Sequence, residues 1–293
     1  MSTGETLNFK PSSAVLLISC PDKLGIMAET FTFLARHNGN VLQADNFGDP
    51  DQNVFLMRVE WDLQRFDIDM RDFPAHFARL AERFQMQWRV ALSSYRPRIA
   101  VLASRQDHCL ADLLHRHQIG ELACEVPLVV SNHPEAQRLT EFYGVEFHHV
   151  PMEKDRKAGA ENTILDLMRA HNIDFIVLAR FMQVLSNGFI QHYPNRIINI
   201  HHSFLPAFVG AKPYHRAFER GVKLVGATAH YVTEVLDEGP IIEQDTVRVS
   251  HRDTLDVLLQ KGRDLEKVVL SRAVRWQVEN RILLYGNKTT VFD

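Results

Sequence analysis

Residues 174–180, Asp-Phe-Ile-Val-Leu-Ala-Arg, decide the architecture of most of this chain. The run 175–179 is apolar without alternation. That pattern suits a strand buried on both faces of a sheet, as strands of parallel sheets are. Working outward, the same kind of segment recurs between helical ones. Strands are expected at 98–104 (RIAVLAS), 127–132 (PLVVSN), 145–150 (VEFHHV) and 196–203 (RIINIHHS), then at 223–234 and 241–249. Helices are expected at 107–119, in a short piece ending at Tyr143-Gly144, and at 160–171, 183–192, 212–220 and 253–281. Strands alternating with helices predict an α/β unit with a doubly wound, mostly parallel sheet. Ligands of such sheets sit beyond the carboxyl ends of the strands.

Upstream of residue 95 the plan differs. A strand at 14–20 leads through the turn Pro21-Asp22-Lys23-Leu24-Gly25 into a helix with Ile26, Met27, Phe31, Phe33 and Leu34 among its apolar positions. Asn38-Gly39-Asn40 stops it. Two strands, 41–47 and 53–61, flank the turn Gly48-Asp49-Pro50-Asp51. A helix with Phe73, Phe77, Leu80, Ala81 and Phe84, and a strand over 87–94, complete a βαββαβ unit of ferredoxin-like type. Residues 93–98 read as a linker. The expected division is therefore 1–93 and 97–293.

Composition narrows the function. Apolar residues make up 45% and charged residues 24%, with a formal net charge of −3 and no long basic run. Nucleic acid and anionic membrane are not expected as partners. Three cysteines, none in a Cys-x-x-Cys, suggest reduced thiols rather than a disulfide framework or zinc ribbon. The N-terminus lacks an apolar signal core, and no apolar run reaches membrane-spanning length. A cytoplasmic protein is expected.

The chemistry concentrates in Asn199-Ile200-His201-His202-Ser203-Phe204-Leu205-Pro206. Asn199 and His201 are two apart near a strand's carboxyl end, so both side chains point to the same face. An uncharged N–H donor and an imidazole converging on one point suit a developing oxyanion. A second element, Val235-Leu236-Asp237-Glu238-Gly239-Pro240, puts a carboxylate in a turn between two strands. His148-His149 lies on a strand, but no His-Glu-x-x-His or zinc-spaced cluster is present, so no metal is expected. His230 reads as packing near the site, and His202 as structural or substrate-shaping.

Taken together, residues 178–186 (LARFMQVLS), 199–206 (NIHHSFLP) and 226–242 (GATAHYVTEVLDEGPII) resemble the formyltetrahydrofolate-dependent formyltransferase and hydrolase family over about 97–285. The resemblance assigns catalysis to Asn199, His201 and Asp237. It implies a folate slot made by Met182, Gln183, Leu185 and Ile200 and by the loop of Thr233, Glu234, Val235 and Leu236. It also implies 10-formyltetrahydrofolate as substrate, with no further cofactor. Several positions favour the hydrolytic branch. The loop after the strand at 98–104 holds Ala103-Ser104-Arg105-Gln106-Asp107-His108, a poor phosphate cradle. The transferase acting on glycinamide ribonucleotide has Pro where His202 stands here, and often Arg at Gln183. The implied reaction is hydrolysis: Asn199 and His201, as imidazolium, hold the oxyanion, while Asp237 pairs with His201 and positions water.

Residues 12–92 resemble ACT domains, with Cys20-Pro21-Asp22-Lys23-Leu24-Gly25-Ile26 at the strand-to-helix turn. That resemblance implies an amino-acid effector site at Asp22, Gly25, Ile26 and Asn40. ACT units commonly pair, so it also implies a homo-oligomer. The residues alone leave a plainer reading: Asp22 caps the helix and Gly25 permits a close approach. Two other functions compete, a formyltransferase with an amine acceptor and a catalytically silent amino-acid or folate sensor.

Overall fold

The computed structural model describes residues 13–206 and 213–293, which form two compact units. The first comprises β1 (Ser13–Pro21), α1 (Ile26–Arg36), β2 (Asn40–Asp49), β3 (Val54–Asp62), α2 (Phe73–Phe84) and β4 (Gln87–Leu92). Its four strands lie in the order β2-β3-β1-β4, all neighbours antiparallel, as the βαββαβ pattern predicts. One sheet face packs on the helices through stacked aromatic rings. Trp61 lies on Phe73 at 5.5 Å between centroids, and Phe73 on Phe77 at 5.4 Å.

The second unit opens with β5 (Arg98–Ala103), α3 (His108–Gln118), β6 (Glu125–Ser131), α4 (Gln137–Phe142), β7 (Glu146–His149) and α5 (Lys157–Ala170). It continues through β8 (Phe175–Ala179), α6 (Asn187–Ile190), β9 (Ile197–His201), α7 (Pro213–Arg220), β10 (Leu224–Tyr231), β11 (Ile241–Arg248) and α8 (Leu255–Val278). The seven strands run β11-β10-β9-β8-β5-β6-β7. Strands β5 to β9 are parallel, and β10 is antiparallel to β9 and β11. Every residue of β8 is buried, as its unbroken apolar sequence requires. The chain winds from β5 outward to β7, then crosses back to β8 and β9. The carboxyl ends of β5 and β8 therefore diverge and leave a crevice there.

Two stretches differ from the sequence reading. The helix expected over 183–192 is only the single turn α6, capped by Ser186, whose hydroxyl accepts from Phe189 N. Residues 180–186 instead form an irregular loop. Arg180 opens it at φ 60, and buried Glu161 closes it by accepting from both N and Oγ of Ser186. The chain's end also departs from a division by sequence order. Strands β12 (Ile282–Tyr285) and β13 (Lys288–Val291) form a hairpin absent from that reading. Residues 280–285 and 290–293 belong to the first unit and 286–289 to the second. Phe292, with Leu283 and Tyr285, covers Val15, Leu17 and Leu56 on the sheet face away from the helices. This second cover explains why β1 is apolar at successive positions rather than alternating.

Candidate active site

The crevice at the ends of β5, β8 and β9 holds a cavity of about 580 Å³. Its apolar part is made by the loop after β8 and the turn after β10. Ser104 Oγ, beyond β5, accepts from Met182 N (3.3 Å) and so fixes one end of the 180–186 loop, while Glu161 fixes the other. Met182, Gln183, Leu185, Ile200, Thr233, Glu234 and Leu236 all line the cavity. Val235 does not: it is 55% exposed and outside the lining.

Asn199 and His201 occupy β9, facing the cavity as period-two geometry requires. Asp237 comes from the turn joining β10 to β11, and three features bring it inward. A register shift follows Ala229 in the β10–β11 ladder. Asp237 itself adopts a left-handed backbone, φ 58. Gly239 passes so close to β10 that a Cβ there would lie 1.7 Å from Tyr231 O. Asn287 Nδ2 donates to Glu238 O (3.0 Å) and ties the turn down from outside.

The result is a carboxylate against an imidazole, with His201 Nδ1 and Asp237 Oδ1 3.2 Å apart and side chains 7% and 11% exposed. His201 Nε2 is buried and has no protein partner among the described residues. Burial works against ionisation of Asp237. The hydrogen bond from His201 and the charges of His201, His230 and His202 outweigh it, so the carboxyl is held below its usual range.

His230 completes the group. Its Nδ1 donates to Tyr231 O (2.9 Å), which fixes the tautomer. Burial, outweighing the Tyr231 carbonyl and the Asp237 charge, pushes its pKa down and favours the neutral ring. Nε2 is then an acceptor, and Asn199 Nδ2 donates to it at 3.2 Å. One N–H of the Asn199 amide is thus held by His230, leaving the other free to point into the cavity. His230 is 2% exposed and sits on β10 opposite Asn199 in the ladder, a pairing that no short-range spacing reveals.

His202 follows the end of β9 and lines the cavity. Burial first, then the charges of Arg180 and His201, push its pKa down to about 4. Beyond it lies a buried polar cluster. Glu266 on α8 accepts from Tyr214 OH (3.0 Å), pairs with His108 Nε2 (2.8 Å) and lies 3.4 Å from Arg180 Nε. Far from the crevice, His148 pairs with Glu146 on β7 and His149 is exposed.

In the first unit, the turn after β1 differs in detail from the plainer reading. Asp22 does not cap α1. The N-cap is Gly25 at φ 96, with no side-chain hydrogen bond. A Cβ at Gly25 would meet nothing within 4 Å, so the glycine answers a backbone angle and not a close approach. Asp22 and Asn40 are exposed, whereas Ile26 is 2% exposed within the core.

Residues 97–274 match the formyl transferase family. A relative from Synechocystis named formyltetrahydrofolate deformylase is 51% identical over 96% of this chain and 98% of its own length. The crystal structure of a formyltetrahydrofolate deformylase from Pseudomonas syringae superposes with a TM-score of 0.95 at 46% identity, covering 99% of this chain and 97% of that one. A glycinamide ribonucleotide transformylase from Symbiobacterium toebii aligns over 68% of this chain and 95% of its own, at 30% identity and a TM-score of 0.64. The chain belongs to the formyl transferase family. Within that family it stands with the formyltetrahydrofolate deformylases, which it matches through both units and not the second alone.

Proposed function

We propose that this enzyme hydrolyses 10-formyltetrahydrofolate to tetrahydrofolate and formate, with water attacking the formyl carbon. The observation that carries the reading is the meeting of Asn199, His201 and Asp237 at one end of a cavity large enough for a folate head group. The apolar slot beside Met182, Leu185 and Leu236 takes the flat ring and leaves the formyl group at the polar end.

Water adds to the formyl carbon, and the carbonyl oxygen becomes an oxyanion. The free N–H of Asn199 donates to it, pre-aimed by the bond to His230. His201 supplies the second donor through the ring nitrogen that Asp237 does not occupy. Asp237, ionised well below neutrality, positions the water and receives its proton. The C–N10 bond then breaks, N10 takes a proton, and formate leaves. Folate enters as substrate, and these side chains carry the chemistry without a prosthetic group. The reading includes a cytoplasmic setting; among the described residues no helix is long and apolar enough to cross a membrane.

The sheet order β2-β3-β1-β4 in the first unit supports an ACT-type regulatory role there, with pairing of two copies. The exposed turn with Asp22 and Gly25, together with Asn40, would meet an amino-acid effector, and buried Ile26 would shape the turn from beneath. A panel of amino acids screened for thermal shift and for altered turnover tests that assignment.

The decisive experiment on the second unit is Asp237→Asn. It should fold as wild type and lose a factor of about 10²–10⁴ in kcat, the range for a positioned acid–base group. Formate release is measured from 10-formyltetrahydrofolate with no amine added. Near wild-type turnover in the variant overturns this mechanism, and dependence of the wild type on an added amine overturns hydrolysis itself.

A further inference from the structure

A hydrolase of a formyl amide faces a chemical problem. Amines are stronger nucleophiles than water, so an open chamber beside the formyl carbon would admit them. The wall of the chamber next to His201 is built in a way that packing alone does not explain. His202 lies beside His201, ring centroids 5.3 Å apart, and Tyr214 meets His202 edge-on at 6.1 Å. These two rings border the catalytic cavity on one side. On the other they border a second cavity of about 510 Å³ that reaches Phe204, Leu224 and Gln244. Both residues thus belong to the lining of the two spaces.

The tyrosine is held on three sides. Its edge meets His202. Its ring lies on α8 at Gly262, where a Cβ would come within 2.4 Å of Cζ, so the helix surface is hollowed to receive it. Its hydroxyl donates to Glu266, which is 1% exposed and further bound by His108. Burying a carboxylate under a tyrosine is not an economical route to stability, because apolar residues of the same volume do as well or better. What the arrangement provides is a ring fixed in place.

We propose that Tyr214, backed by His202, is the specificity-determining residue that restricts the formyl acceptor to water. The inference rests on the hydrolytic reading above. With the ring in place, the space beside the formyl carbon takes a solvent molecule and no substituted amine. Without it, the two cavities join. An amine nitrogen can then form the new C–N bond while C–N10 breaks, its proton passing by way of Asp237 to N10.

The test measures products, not rate. Wild type, Tyr214→Ala and Tyr214→Phe are incubated with 10-formyltetrahydrofolate and glycinamide near pH 8, where an α-amino type nitrogen is about half unprotonated. Formate and N-formylglycinamide are quantified against a no-enzyme control. Wild type and Tyr214→Phe, which both keep a ring, should give formate alone. Tyr214→Ala should raise the ratio of formylated amine to formate at least tenfold. Because the readout is a ratio, partial loss of folded protein does not mask it. Tyr214→Leu carries the test if the alanine variant does not turn over, with the same tenfold rise expected. An unchanged ratio in an active ring-less variant overturns the proposal, and so does a Phe variant that behaves like Ala. Formate release by the wild type without glycinamide is scored separately, so failure of the hydrolytic reading is distinguishable from failure of this one.

Discussion

His202 should make the second unit acid-sensitive before its carboxylates titrate. In the folded chain its pKa is pushed from 6.5 down to about 4, first by burial and then by the Arg180 charge. In the unfolded chain it titrates near the ordinary value. Between those two pH values the unfolded state holds one more proton than the folded state, so stability falls as pH falls through that window. Below about pH 4 both states are protonated and the effect stops growing. The full shift corresponds to about 3 kcal/mol, and partial solvent access brings the expected effect nearer 2 kcal/mol. His202→Asn removes the titrating group and keeps a polar side chain of related shape. Urea titrations of both proteins at pH 7 and near pH 4, read by one probe, cancel the titration of the other histidines in the difference. The variant should gain about 2 kcal/mol on wild type over that range. Parallel pH dependences for the two proteins would refute the assignment of a depressed, buried imidazole at this position.

Two further substitutions probe how the proposed catalytic group is assembled. Gly239→Ala puts a Cβ against Tyr231 O, and no rotamer can relieve it. The turn must move, costing about 1–3 kcal/mol in unfolding free energy and at least about 100-fold in formate release as Asp237 leaves His201; a stable, fully active variant counts against this account of the turn. His230→Ala frees the Asn199 amide from its acceptor, and kcat should drop by roughly 10- to 100-fold with KM near wild type. An equal rise in KM would instead mark His230 as part of substrate binding.

The strands of the second unit are legible because burial on both faces writes an unbroken apolar run, and β8 is the clearest instance. Asn199 and His201 are legible as a pair because a strand turns every second residue to one face. Asp237 is not legible by spacing. Its place depends on a left-handed residue and a backbone contact at Gly239, and only its likeness to a known motif marks it beforehand. The partners that sharpen the site are harder still. Asn199 and His230 are 31 residues apart, and Tyr214 and Glu266 are 52 apart, joined by sheet register in one case and a helix crossing in the other. The loop over 180–186 carries helix-compatible residues. Arg180's left-handed start and Glu161's hold on Ser186 keep it open, and neither leaves a local sign in the sequence.

The path of the chain has a consequence for its birth. Val15, Leu17 and Leu56 are synthesised long before their outer cover, Phe292 with Leu283 and Tyr285. At about 5–20 residues per second, the intervening roughly two hundred residues take on the order of 10–40 s. Throughout that interval the leading unit emerges from the ribosome with a greasy flank showing, an invitation to chaperones or to a neighbouring nascent chain. One face of this sheet waits on residues made much later to seal it.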